Sequence, residues 1–225
     1  MSSKSKNSAA AQKLQAKLVF SSLVGLSLIF WILYRYIFSF PIIFDETIGK
    51  AIFFGLPVLI YASVAKTDAI SKALDPRQVL VGLLRGLAYG GIIGFVGVIV
   101  IALNRRSSYT SFPVFLADRF WIELLLATFT AFWESVFFFG FVQAVLAHFW
   151  KFRGKVRIWG VSSLIFLLFH LPNIMLRFAG LDVTFLIFLM YLFGLGQAIL
   201  FDQEENIYPL IITHTVWGMI LLIHF

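Results

Sequence analysis

The sequence contains no cysteine, and only 13% of its 225 residues are charged. The first absence excludes disulfides, thiol catalysis and cysteine-ligated metals. The second excludes an ordinary soluble domain, in which about a quarter of residues carry charge. There is no internal repeat, no low-complexity segment beyond the start, and no His-Glu-x-x-His string of the kind that holds zinc on one helix. What is there instead is apolar: 60% hydrophobic, 18% aromatic, with a mean hydropathy of +0.93. That composition predicts a polytopic membrane protein, and the length predicts one membrane domain without an appended soluble one.

A spanning helix needs about 20 mostly apolar residues. Such runs fall at 18–40, 48–65, 79–103, 119–149, 158–176, 183–201 and 207–225. The expected fold is therefore an all-α transmembrane bundle of about seven helices. Residues 1–17 form a polar tail and 18–225 a single transmembrane domain. The second run is short, the fourth is long enough to be tilted or broken, and Pro172 cuts the fifth.

The net charge of +7 is spread over short clusters between these runs. This pattern fits loops at a lipid bilayer and argues against nucleic acid as a partner. With the N-terminus cytoplasmic, that side receives Lys4, Lys6, Lys13, Lys17, Lys66, Lys72, Arg77, Lys151, Arg153, Lys155 and Arg157. The other side receives Lys50, Arg105, Arg106, Arg119 and Arg177. Eleven against five predicts a cytoplasmic N-terminus, seven spans and an outer C-terminus, in the plasma membrane.

Two features of the spans need a packing account. Gly82, Gly86, Gly90 and Gly94 lie on one face of the third run, where small residues let a neighbour approach closely. Packing inside the bundle is the plainer expectation, a dimer interface or hinge the alternative. Arg85, in the same run, is expected to snorkel to the interface. The acidic string Asp202-Gln203-Glu204-Glu205 is expected outside any span, and the polar content of the runs is too low for a transporter or channel.

An ionisable side chain inside a span costs at least a few kcal/mol and calls for a partner. Three sit deep, each in a different run: Glu134, His170 and His214. A lone membrane histidine is more often a packed residue with one hydrogen bond than a catalyst. One glutamate with two histidines at similar depth is different, because the three can converge. Glu123 lies eleven residues before Glu134, on the same helical face but about 16 Å away. His148 and His224 sit near span ends, where an interfacial role is expected.

The strings WESVFFFGFVQ, FLLFH and HTVWG resemble the motifs of the CPBP family of intramembrane proteases, the CAAX-protease or Abi family, over residues 75–225. That family's first motif has paired glutamates followed by an arginine, its second is Phe-x-x-x-His, and its third has Asn or Asp four positions after a histidine. Glu134 matches the first glutamate, Gly140 a common glycine, Phe166 and His170 the second motif, and His214 the third. Ser135, Phe139 and Gly218 depart from it, standing where the second glutamate, the arginine and the Asn or Asp belong. The first two spans carry no motif.

The resemblance implies that Glu134 and His170 activate a water and that His214 steadies the oxyanion. The substrate would be a membrane-held peptide or protein, cut near the cytoplasmic face. Serine 135 can donate a weak hydrogen bond but carries no charge, Phe139 removes a cation, and Gly218 removes a donor. No cofactor is implied, although Glu134, His170 and His214 are also a two-histidine, one-glutamate set of the kind that holds catalytic zinc. The alternative is a degenerate relative acting as a binding, immunity or assembly subunit with a membrane-protein partner. The run Gly160-Val161-Ser162-Ser163 lacks the final glycine of a rhomboid serine motif.

Overall fold

The computed structural model describes residues 3–65, 68–105, 119–150 and 154–224. Lys66, Arg106, Lys151 and Arg153, counted above among the loop charges, lie outside them. Among the described residues there are seven long helices and no strand. They are α1 (Ser3–Ile37), α2 (Ile42–Ala65), α3 (Val79–Arg105), α4 (Phe120–Phe149), α5 (Lys155–Arg177), α6 (Leu181–Glu204) and α7 (Tyr208–His224). A short helix, Ala69–Ala73, precedes α3. All but α7 are long and apolar enough, among the described residues, to cross a membrane. The chain is an integral, multi-pass membrane protein.

Glycine decides how α3 meets α7. A Cβ added at Gly86 would lie 2.8 Å from Ile212 Cβ and 3.0 Å from the Pro209 backbone; at Gly82 it would lie 2.7 Å from Tyr208 Cβ. At Gly90 and Gly94 the nearest atoms are those of Val216. The stripe therefore packs within the bundle, and it holds in place the helix that carries His214. We expect Gly86→Ala to cost about 1–3 kcal/mol, as overpacking does. Gly91→Ala on the same helix, where nothing lies within 4 Å, is neutral or slightly stabilising. Thermal unfolding of the two variants in detergent reads the difference.

The fourth helix is continuous but not regular. From Ser135 to Gln143 it widens into a π-helix, where each N–H reaches back five residues, as Ala144 does to the Phe139 carbonyl. Phe137, Phe138, Phe139 and Phe141 are all fully buried. A segment that is apolar all round needs neighbours all round, and α4 has them on every side: α2, α5, α6 and α7. Glu134 stands at the junction where the α-helix becomes π.

Three expectations change. Pro172 does not cut α5, which runs through it to Arg177; a helix held on both sides by packing survives one missing N–H. Residues 202–204 form the last turn of α6 rather than a loop, and there Glu204 pairs with Arg85 and Asp202 with Lys155 at 2.8 Å. Arg85 is thus salt-bridged, not merely snorkelling. The second helix begins at Ile42 rather than 48 and so takes in Asp45 and Glu46. Both acids have partners: Arg35 Nη1 lies 2.7 Å from Asp45 Oδ2, and Lys50 Nζ 2.5 Å from Glu46 Oε2.

Candidate active site

Glu134, His170 and His214 come together. Glu134 Oε2 lies 3.2 Å from His170 Nε2 and 3.3 Å from His214 Nε2. Both contacts have ion-pair distance without hydrogen-bond alignment, so Oε2 itself has no hydrogen-bond partner. One carboxylate oxygen and one nitrogen from each ring all lie within 4.8 Å of one another. Glu134 and His214 are buried and His170 is partly so.

Phe166 fixes the histidines. Its carbonyl accepts a 2.8 Å hydrogen bond from His170 Nδ1, one helical turn away. A carbonyl can only accept, so Nδ1 carries the hydrogen and Nε2 faces Glu134. The Phe166 ring lies 4.1 Å from the His170 ring, tilted by 34°, and meets His214 edge-on at 5.8 Å. A Cβ at Gly194 would come within 2.9 Å of the Phe166 ring, so glycine there makes room for it. The phenylalanine of the Phe-x-x-x-His string is a floor beneath both imidazoles.

The sequence reading missed the fourth member. Lys50, placed there in an outer loop, is buried inside α2, and its Nζ lies 2.7 Å from Glu134 Oε1. It also binds Glu46 Oε2, which accepts a further bond from Thr130 Oγ1. The chain Thr130–Glu46–Lys50–Glu134 thus grips the carboxylate from the side away from the histidines. The one available signal was a lysine and a glutamate four residues apart at the start of an apolar run, a spacing that puts both on one helical face.

These groups line the inner end of a cavity of about 770 Å³. Its walls are apolar, among them Ile122, Leu126, Ile174, Met190 and Trp217. Arg119, Arg177 and Ile42 line it as well, at the ends of α4, α5 and α2 that share one face of the bundle. Glu123 lies on the wall between, on the face of α4 that carries Glu134, as its spacing implied. Asn173, one turn beyond His170, also lines the cavity, and its Oδ1 is buried without a partner.

Residues 116–220 match the family model described as Rce1-like, type II CAAX prenyl endopeptidase. Over that part of the chain, just under half of its length, the sequence is similar to the CAAX-protease (CPBP) family. No curated protein and no solved structure matches it. The positions at which the chain departs from the family's motifs fall in different surroundings. Ser135 is fully buried, its Oγ has no partner, and it does not line the cavity. Phe139 packs against Phe166, with ring centres 6.0 Å apart. Gly218 does line the cavity, and a Cβ there would make only an ordinary 3.7 Å contact with Ala127. The rhomboid-like serines are buried, and Ser163 Oγ donates to the Trp159 carbonyl.

Proposed function

We propose that the protein is an intramembrane endopeptidase in which Glu134 and His170 activate a water and His214 stabilises the oxyanion. The observation that carries this reading is the meeting of one carboxylate oxygen with two imidazole Nε2 atoms, from three helices, at the closed end of a mostly apolar cavity. A water about 2.8 Å from all three atoms fits just off their plane. Glu134 takes its proton as general base, a role worth about 10²–10⁴ in rate. The hydroxide oxygen adds to the peptide carbonyl, and the developing O⁻ receives the His214 N–H. As the C–N bond breaks, the proton on Glu134 passes to the leaving amine. Lys50 is a positioning residue: by holding Oε1 it leaves Oε2 to the histidines. The substrate is a membrane-held peptide segment, which suits a cavity walled by isoleucine, leucine and methionine.

The same donor set fits zinc poorly. A cation on Oε2 would sit beside the Lys50 ammonium that already holds Oε1, a like-charge arrangement in a dry site. His214 Nδ1 has no partner to orient the ring, as metal-bound histidines have.

The test is hydrolysis of membrane-anchored peptides by the purified chain in proteoliposomes, read by product mass. Internal cleavage, undiminished by a zinc chelator, is the expected outcome. No cleavage across a broad peptide panel would favour a binding or assembly subunit, the reading to which the missing donor at Gly218 points. Gly218→Asn probes that gap. The space beside Gly218 admits a side chain, and an oxyanion donor is worth about 10²–10³ in rate. We expect turnover to rise at least tenfold, with little change in stability.

A further inference from the structure

The cavity and the charge of the loops point in opposite directions. Every helix that lines the cavity does so between the Glu134 cluster and one face of the bundle. On α4 these residues run from Glu134 back to Arg119, and on α5 from His170 on to Arg177. On α2 they run from Lys50 back to Ile42, on α6 they are Leu186 and Met190, and on α7 they run from His214 on to Gly218. His170 is seven residues from the end of α5, about 10 Å along the axis.

The opposite face is shut by packing. The turn after Ala69–Ala73 is tied to the start of α7: Ile207 N–H donates to the Ala73 carbonyl at 3.2 Å, and Tyr208 Oη to the Leu74 carbonyl at 3.1 Å. Asn206 Nδ2 donates to the Gln78 carbonyl, and Ile207 and Leu210 are fully buried behind them.

The shut face is the basic one. In sequence its segments carry the eleven lysines and arginines counted above. With Lys50 now inside the bundle and Arg35 at the end of α1, the segments that join the helices on the side of the cavity mouth carry, in sequence, Arg35, Arg105, Arg106, Arg119 and Arg177. Without the four lysines of residues 1–17 the count is still seven against five. Lysine and arginine are retained on the cytoplasmic side.

We propose that the cavity opens to the non-cytoplasmic side, and that its occupant is a peptide segment presented from there: an exported or outward-facing membrane-associated chain rather than a cytoplasmic one. The choice of a peptide rests on the proposed function; the direction of the opening does not. It replaces the expectation of cleavage near the cytoplasmic face.

The absence of cysteine makes the test direct. Ser39, exposed between α1 and α2, reports the mouth side; Ser71, exposed on the short helix, reports the shut side; Ala127 lines the cavity. Ser39→Cys, Ser71→Cys and Ala127→Cys are made singly in the full chain and treated with a small, charged, membrane-impermeant thiosulfonate on spheroplasts. Detergent-opened membranes, in which both serine-site cysteines react, give the reference extent. We expect Ser39→Cys and Ala127→Cys to react at least tenfold more in intact spheroplasts than Ser71→Cys. Reaction of Ser71→Cys alone, or of both surface sites equally, overturns the orientation. An Ala127→Cys that reacts only from the Ser71 side, or from neither, overturns the direction of opening. None of these readouts needs turnover, so an inactive protein leaves the labelling pattern intact and fails only the protease reading.

Discussion

Lys50→Met lowers the stability of the fold by about 3–5 kcal/mol, the cost of breaking a buried ion pair by removing one partner. Methionine fills most of the space of the lysine stem, so little of the loss comes from packing. What remains is two carboxylates, Glu46 and Glu134, whose shared cation is gone; Lys50 Nζ lies 2.5 Å and 2.7 Å from them. The double variant Lys50→Met with Glu134→Gln recovers most of the loss, because the deeper charge leaves together with its partner. Denaturant titration in mixed micelles measures all three proteins. A double variant as unstable as Lys50→Met alone would show that the ion pair is not the source. Lys50→Arg retains the charge but not the shape of the site, and we expect it to fall between.

Glu134→Gln reduces peptide cleavage by about 10²–10⁴-fold, the usual contribution of a general base, while the chain stays folded. The amide keeps the shape of the carboxylate and can accept from Lys50 Nζ, and Glu46 continues to pair with that ammonium. It cannot take a proton from water. Because Lys50 keeps one full counter-charge, the stability loss is smaller than for Lys50→Met. Hydrolysis of a fluorogenic membrane-anchored peptide by the two proteins, each checked for folding, measures the ratio. Equal rates would remove Glu134 from the mechanism. His148→Gln, on an exposed turn near the end of α4, is the control and changes the rate by less than twofold.

The two variants separate two tasks for one residue. Glu134 is held by Lys50 through one oxygen and faces the histidines with the other. The family motif places an arginine at position 139 in its own helix, where this chain has Phe139. Here a cation reaches the carboxylate from α2 instead, and Phe139 packs against the ring that supports His170.

The helices were legible because the signal is local. Most of the apolar runs are long enough for the bilayer and bounded by charge, and seven helices stand where seven were expected. Boundaries failed where charge was mistaken for an end. Asp45 and Glu46 begin α2, and Asp202 and Glu204 finish α6, because each acid finds a basic partner on another helix or one turn away. Pro172 leaves its helix intact, since one missing N–H does not break a helix packed on both sides. The glycine stripe was read correctly as a packing surface, but its partner, α7, was not nameable from the sequence.

The sequence by itself determined the class of the protein, the number of its helices and the three side chains that meet. Composition and run length are properties of the chain alone, and a carboxylate in hydrocarbon demands partners wherever the helices go. Only the tertiary structure decided that Lys50 is the fourth group, that Ser135 stands apart while Gly218 faces the cavity, and which face of the bundle opens. Those depend on how helices distant in sequence rotate and lean against one another, set by close contacts such as Gly86 on Ile212 and Phe54 on Phe137. No local pattern records them.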